Sequence, residues 1–377
     1  MEKIILVSNT SWYLFNFRLS IIKLLQRAGY EVVCIANEDE YSERLVKEGA
    51  TFIACKLANK GKNPFKDWAF YVFLKQQYQQ IKPVFIFHYT VKPNIYGSLA
   101  AKAAKVPSIA IVSGAGYAFL KEGLLNKLVK ALYTRAAKCS RELWFVNEED
   151  QALFVGNNIV DEYQTKVLPG EGIDTARFLR DAPYNVDKSC FTFLLSARML
   201  WDKGVGVYVE AARKVKQLYP QSRFQLLGFI DSANPSAISS MQMEAWQSEG
   251  VIEYLGVTDN VKQYLMKATC FVLPSYYREG VPRALLEAAS LEIPIITTDN
   301  VGCKEVVDHQ VNGLICKLKS VDDLADKMIR MLDADASVLT EMGRQGRIKV
   351  EQEFHERLVL AYYESAIAQY LMGNEKN

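Results

Sequence analysis

Short, mostly apolar runs alternate with helix-length amphipathic segments along nearly the whole chain, and this alternation restricts the fold more than any other feature. Residues 3–8 read KIILVS, and further runs follow at 31–36, 51–57, 84–89, 108–113 and 142–147. A continuous apolar run of this length is a strand covered on both faces, the condition of a parallel sheet. The segments between the runs carry apolar residues at helical spacing, as in Phe15, Leu19, Ile22 and Leu25. Parallel strands need crossovers of this kind, so the first half reads as a parallel α/β sheet.

The pattern lapses at residues 168–189, where LPGEGIDTARFLRDAPYNVDKS has the proline, glycine and charge of a linker. A second α/β series follows, with runs at 191–197, 223–229, 251–256, 270–273, 294–298 and 313–317. With 377 residues, 50% of them hydrophobic, each half can bury its own core. The expected architecture is two doubly wound domains, residues 1–180 and 184–353, facing each other across a cleft. Ligands of such folds sit at the carboxyl ends of the strands.

Charge is divided unevenly between the halves. Residues 1–180 hold 24 Lys and Arg against 17 Asp and Glu, a balance of +7, and the remainder holds 21 against 26, or −5. Between Lys56 and Arg141 there are 15 basic residues and two acidic ones, Asp67 and Glu122. A basic face attracts lipid headgroups, phosphates or nucleic acid. Within it, residues 123–141 set Leu124, Leu125, Leu128, Val129 and Leu132 beside Lys127, Lys130, Arg135 and Lys138. Two readings fit that stretch, an ordinary crossover helix and a helix that docks on a membrane surface, and the wider basic run favours docking. No apolar run reaches the roughly 18 residues that span a bilayer. Met1-Glu2-Lys3 leads straight into a strand without a signal-peptide pattern. Seven cysteines without paired spacing suggest reduced thiols, and hence a cytosolic protein.

The chemistry concentrates in residues 271–288, FVLPSYYREGVPRALLEA. An apolar strand turns through Pro274 and Ser275 into a polar loop, and a helix is expected to start at Pro282. Backbone N–H groups near Gly280, Val281 and Arg283 are then unpaired donors at the positive end of a helix, a seat for phosphate. Glu279 and Glu287 bracket that start, and carboxylates accept hydrogen bonds from hydroxyl pairs. A phosphate with a sugar on either side describes a nucleotide sugar. In LLSARMLWDKGVG, Arg198 and Lys203 follow a strand end and face the same crevice, the first able to grip phosphate bidentately and the second as a point charge. Gly228 and Gly256 each close a strand at this rim; for Gly228, an ordinary turn and a close backbone approach to ligand are both open. G-A-G-Y-A-F at residues 114–119 lacks the third glycine of a dinucleotide fingerprint. The only D-x-D, Asp333-Ala-Asp335, reads as a helix boundary rather than a metal site.

The E-x7-E spacing of Glu279 and Glu287 resembles the signature of the retaining glycosyltransferases of family 4, which have the GT-B fold. The resemblance implies that Glu279 contacts the donor sugar and Glu287 the nucleotide ribose. It implies that Arg198 and Lys203 hold the donor diphosphate, as in the family's G-R-x-x-x-x-K-G segment, with Ala197 in place of its glycine. It places Gly228, Val257, Thr258, Gly280, Val281 and Pro282 on the donor side, Val257 and Thr258 beside the base. HYTVKPNIYGSLAAKAAKVPSIAIVSGAGYAFL in the first domain resembles bacterial polysaccharide and lipid-linked oligosaccharide transferases, especially the N-acetylgalactosaminyltransferases that act on undecaprenyl diphosphate. Gly114 and Gly116 would face the cleft on the acceptor side. His88 is a further acceptor candidate, with a satisfied core histidine as the competing reading. The chain departs from the family twice: Asn9-Thr10-Ser11-Trp12 lacks a glycine pair, and Ser113-Gly114 stands where many members have histidine. The final helix of the family crosses back to the first domain, which points to residues 354–377.

The expected activity is transfer of a hexose or N-acetylhexosamine from a UDP-sugar to a polyprenyl-diphosphate-linked or polysaccharide acceptor, with retention. No metal or other cofactor is expected. The enzyme is expected to work at the cytoplasmic face of the cell membrane, held by anionic lipid, without nucleic acid as partner. A nucleotide-sugar 2-epimerase shares the two-domain architecture and is the alternative.

Overall fold

The structure, a computed structural model, describes residues 1–57, 63–116, 119, 123–181, 184, 186, 188–232 and 234–371. Its two compact units are Met1–Glu171 with Glu356–Asn377, and Gly172–His355.

The first unit is built on seven strands: β1 (Lys3–Thr10), β2 (Glu31–Asn37), β3 (Thr51–Cys55), β4 (Phe85–Tyr89), β5 (Ser108–Val112), β6 (Glu142–Phe145) and β7 (Thr165–Val167). They lie in the order β3-β2-β1-β4-β5-β6-β7, every neighbouring pair parallel. Side chains of a strand alternate between faces. Ile4 and Leu6 therefore enter one core layer and Ile5 and Val7 the other. Both layers are apolar, which is why Ile4–Val7 of β1 reads as an unbroken apolar run. The helix Glu356–Tyr370 buries Val359, Tyr363, Ala366 and Ile367 in the layer that holds Ile4, Leu6, Phe87 and Trp144.

The second unit has six strands: β8 (Thr192–Ser196), β9 (Arg223–Leu227), β10 (Glu253–Tyr254), β11 (Cys270–Leu273), β12 (Ile295–Thr298) and β13 (Gly313–Cys316). Their order is β10-β9-β8-β11-β12-β13, again all parallel. Phe193 and Leu195 face one core layer, and Leu194 faces the other. Each unit is thus a doubly wound α/β domain. Strand order reverses between β1 and β4 in one and between β8 and β11 in the other, and the crevice at such a switch point is where ligands of open α/β sheets bind.

Three sequence expectations need correction. The run at 251–256 yields only two strand residues, Glu253 and Tyr254, at a sheet edge. β7 was not expected; it is a three-residue edge strand of mixed polarity and leaves no apolar signature. The boundary falls at Glu171/Gly172 rather than near 180, because Ile173 and Phe178 are buried in the second unit's core. Ile173 N also donates to Phe354 O at 3.0 Å, pairing the two segments where the second unit begins and ends.

Candidate active site

In the second unit the carboxyl edge of β8, β11 and β12 is tied together by backbone. The amides of Tyr276 and Tyr277 both donate to Asp202 O at 3.0 Å, locking the loop after β11 onto the loop after β8. Gly204 has φ +78, and a Cβ there would lie 2.0 Å from Pro274 O, so only glycine permits that approach. Asn300 Nδ2 donates to Tyr277 O at 2.5 Å, and Thr298 Oγ1 to Ser275 O at 2.5 Å, bringing in the loop after β12. Gly302 presses still closer: a Cβ would fall 1.5 Å from Gly280 O.

This scaffold sets Lys203 Nζ 2.5 Å from Glu279 Oε1, with side chains 14% and 10% exposed. Ser275 Oγ donates to the same carboxylate oxygen at 2.8 Å. A lysine and a glutamate 76 positions apart thus meet where the polar loop leads towards a helix start. Pro282 is the N-cap, with φ −65 and ψ 117, and the helix begins at Arg283, one residue later than expected. Glu287 sits on that helix and pairs with Arg283, Nε to Oε1 at 3.2 Å. Arg198, on the loop after β8, is exposed, and its side chain has no partner among the described residues.

Burial raises the Glu287 carboxyl above its ordinary range, opposed by the charges of Arg283 and Arg177. A carboxyl raised in the fold favours its protonated form. The stability it contributes is full below the unfolded pKa and is lost as the pH rises through the folded one. Glu287→Gln should therefore raise the melting temperature of the nucleotide-free protein at pH 7, and the gain should shrink as the pH is lowered towards about 5. A variant no more stable than wild type at pH 7 would show that Arg283 outweighs the burial.

The remaining donor-side candidates lie at the same strand ends. Gly228 follows β9 with φ +141, and its Cβ would meet Ala197 O at 1.8 Å; the close approach is to protein backbone. Gly256 follows β10 with φ +73. Val257 beside it is exposed, and Thr258 Oγ1 accepts from Asn260 N at 3.0 Å. Ser275, Asp202, Asn300 and Gly302 shape the site without having been singled out by role. The signal that the sequence analysis drew on was local, the turn through Pro274 and Ser275.

In the first unit, Gly114 and Gly116 follow β5 with φ +132 and +70. The loop between them is anchored by Ala115 N donating to the buried Asp150 at 2.9 Å. His88 does not reach a ligand surface. It is fully buried on β4, its Nε2 is 3.0 Å from Tyr78 Oη, and Gly97 packs against its ring. Burial pushes its pKa down to about 3, so the ring is neutral at any working pH. His88 is a core residue and the acceptor assignment falls, but it is not a fully satisfied one: its Nδ1 has no hydrogen-bond partner among the described residues.

Among the described residues, no group of three or more His, Cys, Asp or Glu side chains is placed to hold a metal ion. Asp333 ends one helix and Asp335 caps the next. All seven cysteines are free. No helix of the described residues is long and apolar enough to cross a membrane.

Residues 180–349 match the family model described as glycosyl transferases group 1, and residues 3–147 match the one described as glycosyl transferase 4-like. Over 343 residues the chain is 31% identical to the N,N'-diacetylbacillosaminyl-diphospho-undecaprenol alpha-1,3-N-acetylgalactosaminyltransferase of Campylobacter jejuni, with 87% of this chain and 88% of that protein covered. It is 26% identical to the UDP-Gal:alpha-D-GlcNAc-diphosphoundecaprenol alpha-1,3-galactosyltransferase of Escherichia coli, covering 76% of this chain and 74% of that one. The crystal structure of Anabaena Alr3699/HepE in complex with UDP and glucose superposes with a TM-score of 0.79 at 16% identity, covering 99% of this chain and all 100% of the other. A glycosyltransferase from Rickettsia africae gives 0.79 at 18% identity, with 98% of each chain covered. At such identities the structural likeness establishes the fold.

Proposed function

The chain belongs to the group 1 and 4-like glycosyltransferases of GT-B fold, and from that premise we propose that it moves a hexose or N-acetylhexosamine from a UDP-sugar to an undecaprenyl-diphosphate-linked or polysaccharide acceptor, with retention of configuration. The observation that carries this reading is the Lys203–Glu279 pair at the carboxyl edge of the second sheet, with the exposed Arg198 on the same loop after β8 as Lys203. A cation pair for a diphosphate, next to an oriented carboxylate for hydroxyls, suits a sugar nucleotide. The curated relatives reported above are transferases, and the epimerase alternative finds no support in them.

In the proposed reaction the bond between the anomeric carbon and the diphosphate oxygen breaks, a bond from the acceptor hydroxyl oxygen to that carbon forms, and charge grows on the departing UDP. Arg198, Lys203 and the N–H groups of Gly280 and Val281 would meet that charge, each preorganised donor contributing about 3 kcal/mol. Glu279 would hold the donor sugar by its hydroxyls, with its carboxylate oriented by Lys203 and Ser275. Glu287 would accept from the ribose. Gly228, Val257 and Thr258 would flank the nucleotide, and Gly114 and Gly116 would serve the acceptor. The acceptor proton would pass to the leaving diphosphate, with no metal needed.

For the surface, the reading is docking on anionic lipid. Leu124 and Leu128 are 88% and 56% exposed on the helix Leu124–Ala137, which also carries Lys127 and Arg135. Apolar tips among cations suit a headgroup layer, where each nearby cation is worth roughly 1 kcal/mol.

One experiment tests both parts. UDP-sugars are offered with polyprenyl-diphosphate-linked acceptors in vesicles of anionic or neutral lipid, with and without chelator. The expected result is transfer from one or a few UDP-sugars, undiminished by chelator and faster on anionic vesicles. Loss of turnover in chelator would overturn the metal-free reading, and equal rates on both vesicles would overturn docking. In the same assay Glu287→Ala should weaken UDP affinity by calorimetry; an unchanged affinity would remove the ribose role.

A further inference from the structure

A buried polar relay in the first unit fixes the direction of one hydroxyl. Arg18, on the helix Ser11–Arg27 that follows β1, is fully buried. Its Nη2 donates to Tyr13 Oη at 2.5 Å and also ion-pairs with Glu171 Oε2. Tyr13 Oη donates to Glu171 Oε1 at 3.2 Å and lies 2.7 Å from Ser113 Oγ. The assembly is stiff: Tyr13 stacks on Phe17 with ring centroids 5.0 Å apart, and the Arg18 guanidinium lies 4.5 Å from the centre of the Tyr89 ring. Tyr13 belongs to the segment after β1 and Ser113 to the segment after β5, so the relay spans the end of β4 at the switch point of the sheet.

Donor and acceptor roles follow from the charges around Tyr13. A guanidinium only donates and an ionised carboxylate only accepts. Tyr13 Oη has one proton; either oxygen could donate in its 2.7 Å contact with Ser113, but the charged Glu171 carboxylate at 3.2 Å can only accept and is the stronger acceptor, so the proton is assigned to Glu171. The Oη therefore accepts from Arg18 and from Ser113, and Ser113 spends its only proton on Tyr13. Burial holds the Tyr13 phenol protonated far above neutral pH, opposed by the Arg18 charge and supported by that of Glu171, so this pattern persists over the working range. Ser113 is half-buried and immediately precedes Gly114. Its Oγ is left with lone pairs alone.

We propose that Ser113 is a specificity residue for the transfer: its Oγ accepts a hydrogen bond from a hydroxyl of a substrate sugar, and Arg18, Tyr13 and Glu171 are positioning residues that prevent it from donating. This rests on the reading of the chain as a sugar transferase. The hydroxyl belongs either to the donor sugar or to the acceptor sugar, and the partner must carry a proton. A deoxyfluoro sugar, which offers no proton at that position, is used less well.

The test measures kcat/KM for wild type, Ser113→Ala and Tyr13→Phe against monodeoxyfluoro analogues of donor and acceptor sugars. One analogue should lower the wild-type value roughly tenfold, the scale of one neutral hydrogen bond. Ser113→Ala should lose about as much on the natural substrates and be indifferent to that analogue. Tyr13→Phe frees the Ser113 proton and should narrow the discrimination against it. Whether the sensitive analogue is a donor, read also by UDP-sugar hydrolysis without acceptor, or an acceptor tells which sugar Ser113 holds. A merely structural serine would lower all substrates together. Full activity of Ser113→Ala, or wild-type discrimination retained in it, overturns the assignment while wild-type transfer and UDP binding stand. Wild-type transfer to no acceptor takes down this proposal and the reading beneath it.

Discussion

Replacing Lys203 by alanine should lower kcat about a hundredfold, the loss seen when one preorganised donor to a developing oxyanion is removed. The effect is expected in kcat more than in KM, because the charge that Lys203 meets grows as the diphosphate departs. Its position explains the size. The ammonium is 14% exposed and 2.5 Å from Glu279, at the end of a turn held by Gly204 against Pro274. Alanine leaves the Glu279 carboxylate, itself only 10% exposed, without its cation, so the sugar-binding group loses its orientation as well. Lys203→Met keeps the aliphatic stem and should be as inactive, which separates charge from packing. Steady-state rates with saturating UDP-sugar provide the measurement, and melting curves verify folding. A kcat within about threefold of wild type, a difference under 1 kcal/mol, would mean that the diphosphate sits elsewhere.

Arg18→Met should cost the first unit about 3–5 kcal/mol, the usual penalty for stranding one partner of a buried ion pair. Glu171 is 8% exposed at its side chain and Arg18 is 0%, so little water can replace the lost guanidinium. The same change withdraws a donor from Tyr13 and a cation from the face of Tyr89. Pairing it with Glu171→Gln removes the stranded charge and should recover more than half of the loss. Urea unfolding followed at Trp144, whose ring lies 5.1 Å from that of Tyr363 in the same core layer, reports the change. A single variant within about 1 kcal/mol of wild type would show that the pair is solvated after all.

Local pattern carried much of the architecture. The central strands were legible because a strand covered on both faces is apolar over most of its length, as in Ile4–Val7 of β1, Phe193–Leu195 of β8 and Cys270–Leu273 of β11. β7 and β10 were not, because an edge strand of two or three residues with polar members has no period to read. Glu279, Glu287, Arg198 and Lys203 could be picked out as a group, since a strand end, a turn and a helix start confine each to the carboxyl edge of one sheet. That Lys203 reaches Glu279 depends on how three loops pack, whereas Arg283 and Glu287 are an i,i+4 pair on one helix.

The sequence by itself determined two parallel α/β sheets and the edge on which the charged residues of the second one stand, because burial on two faces and helix-to-strand spacing are local constraints. Only the tertiary structure decided that His88 is a core residue and that Glu171, in a stretch whose composition reads as a linker, closes a relay with Tyr13, Arg18 and Ser113. Those four residues are brought together by strand order, and the pairing of strands distant in the chain is set by the packing of whole core layers, which no window of residues contains.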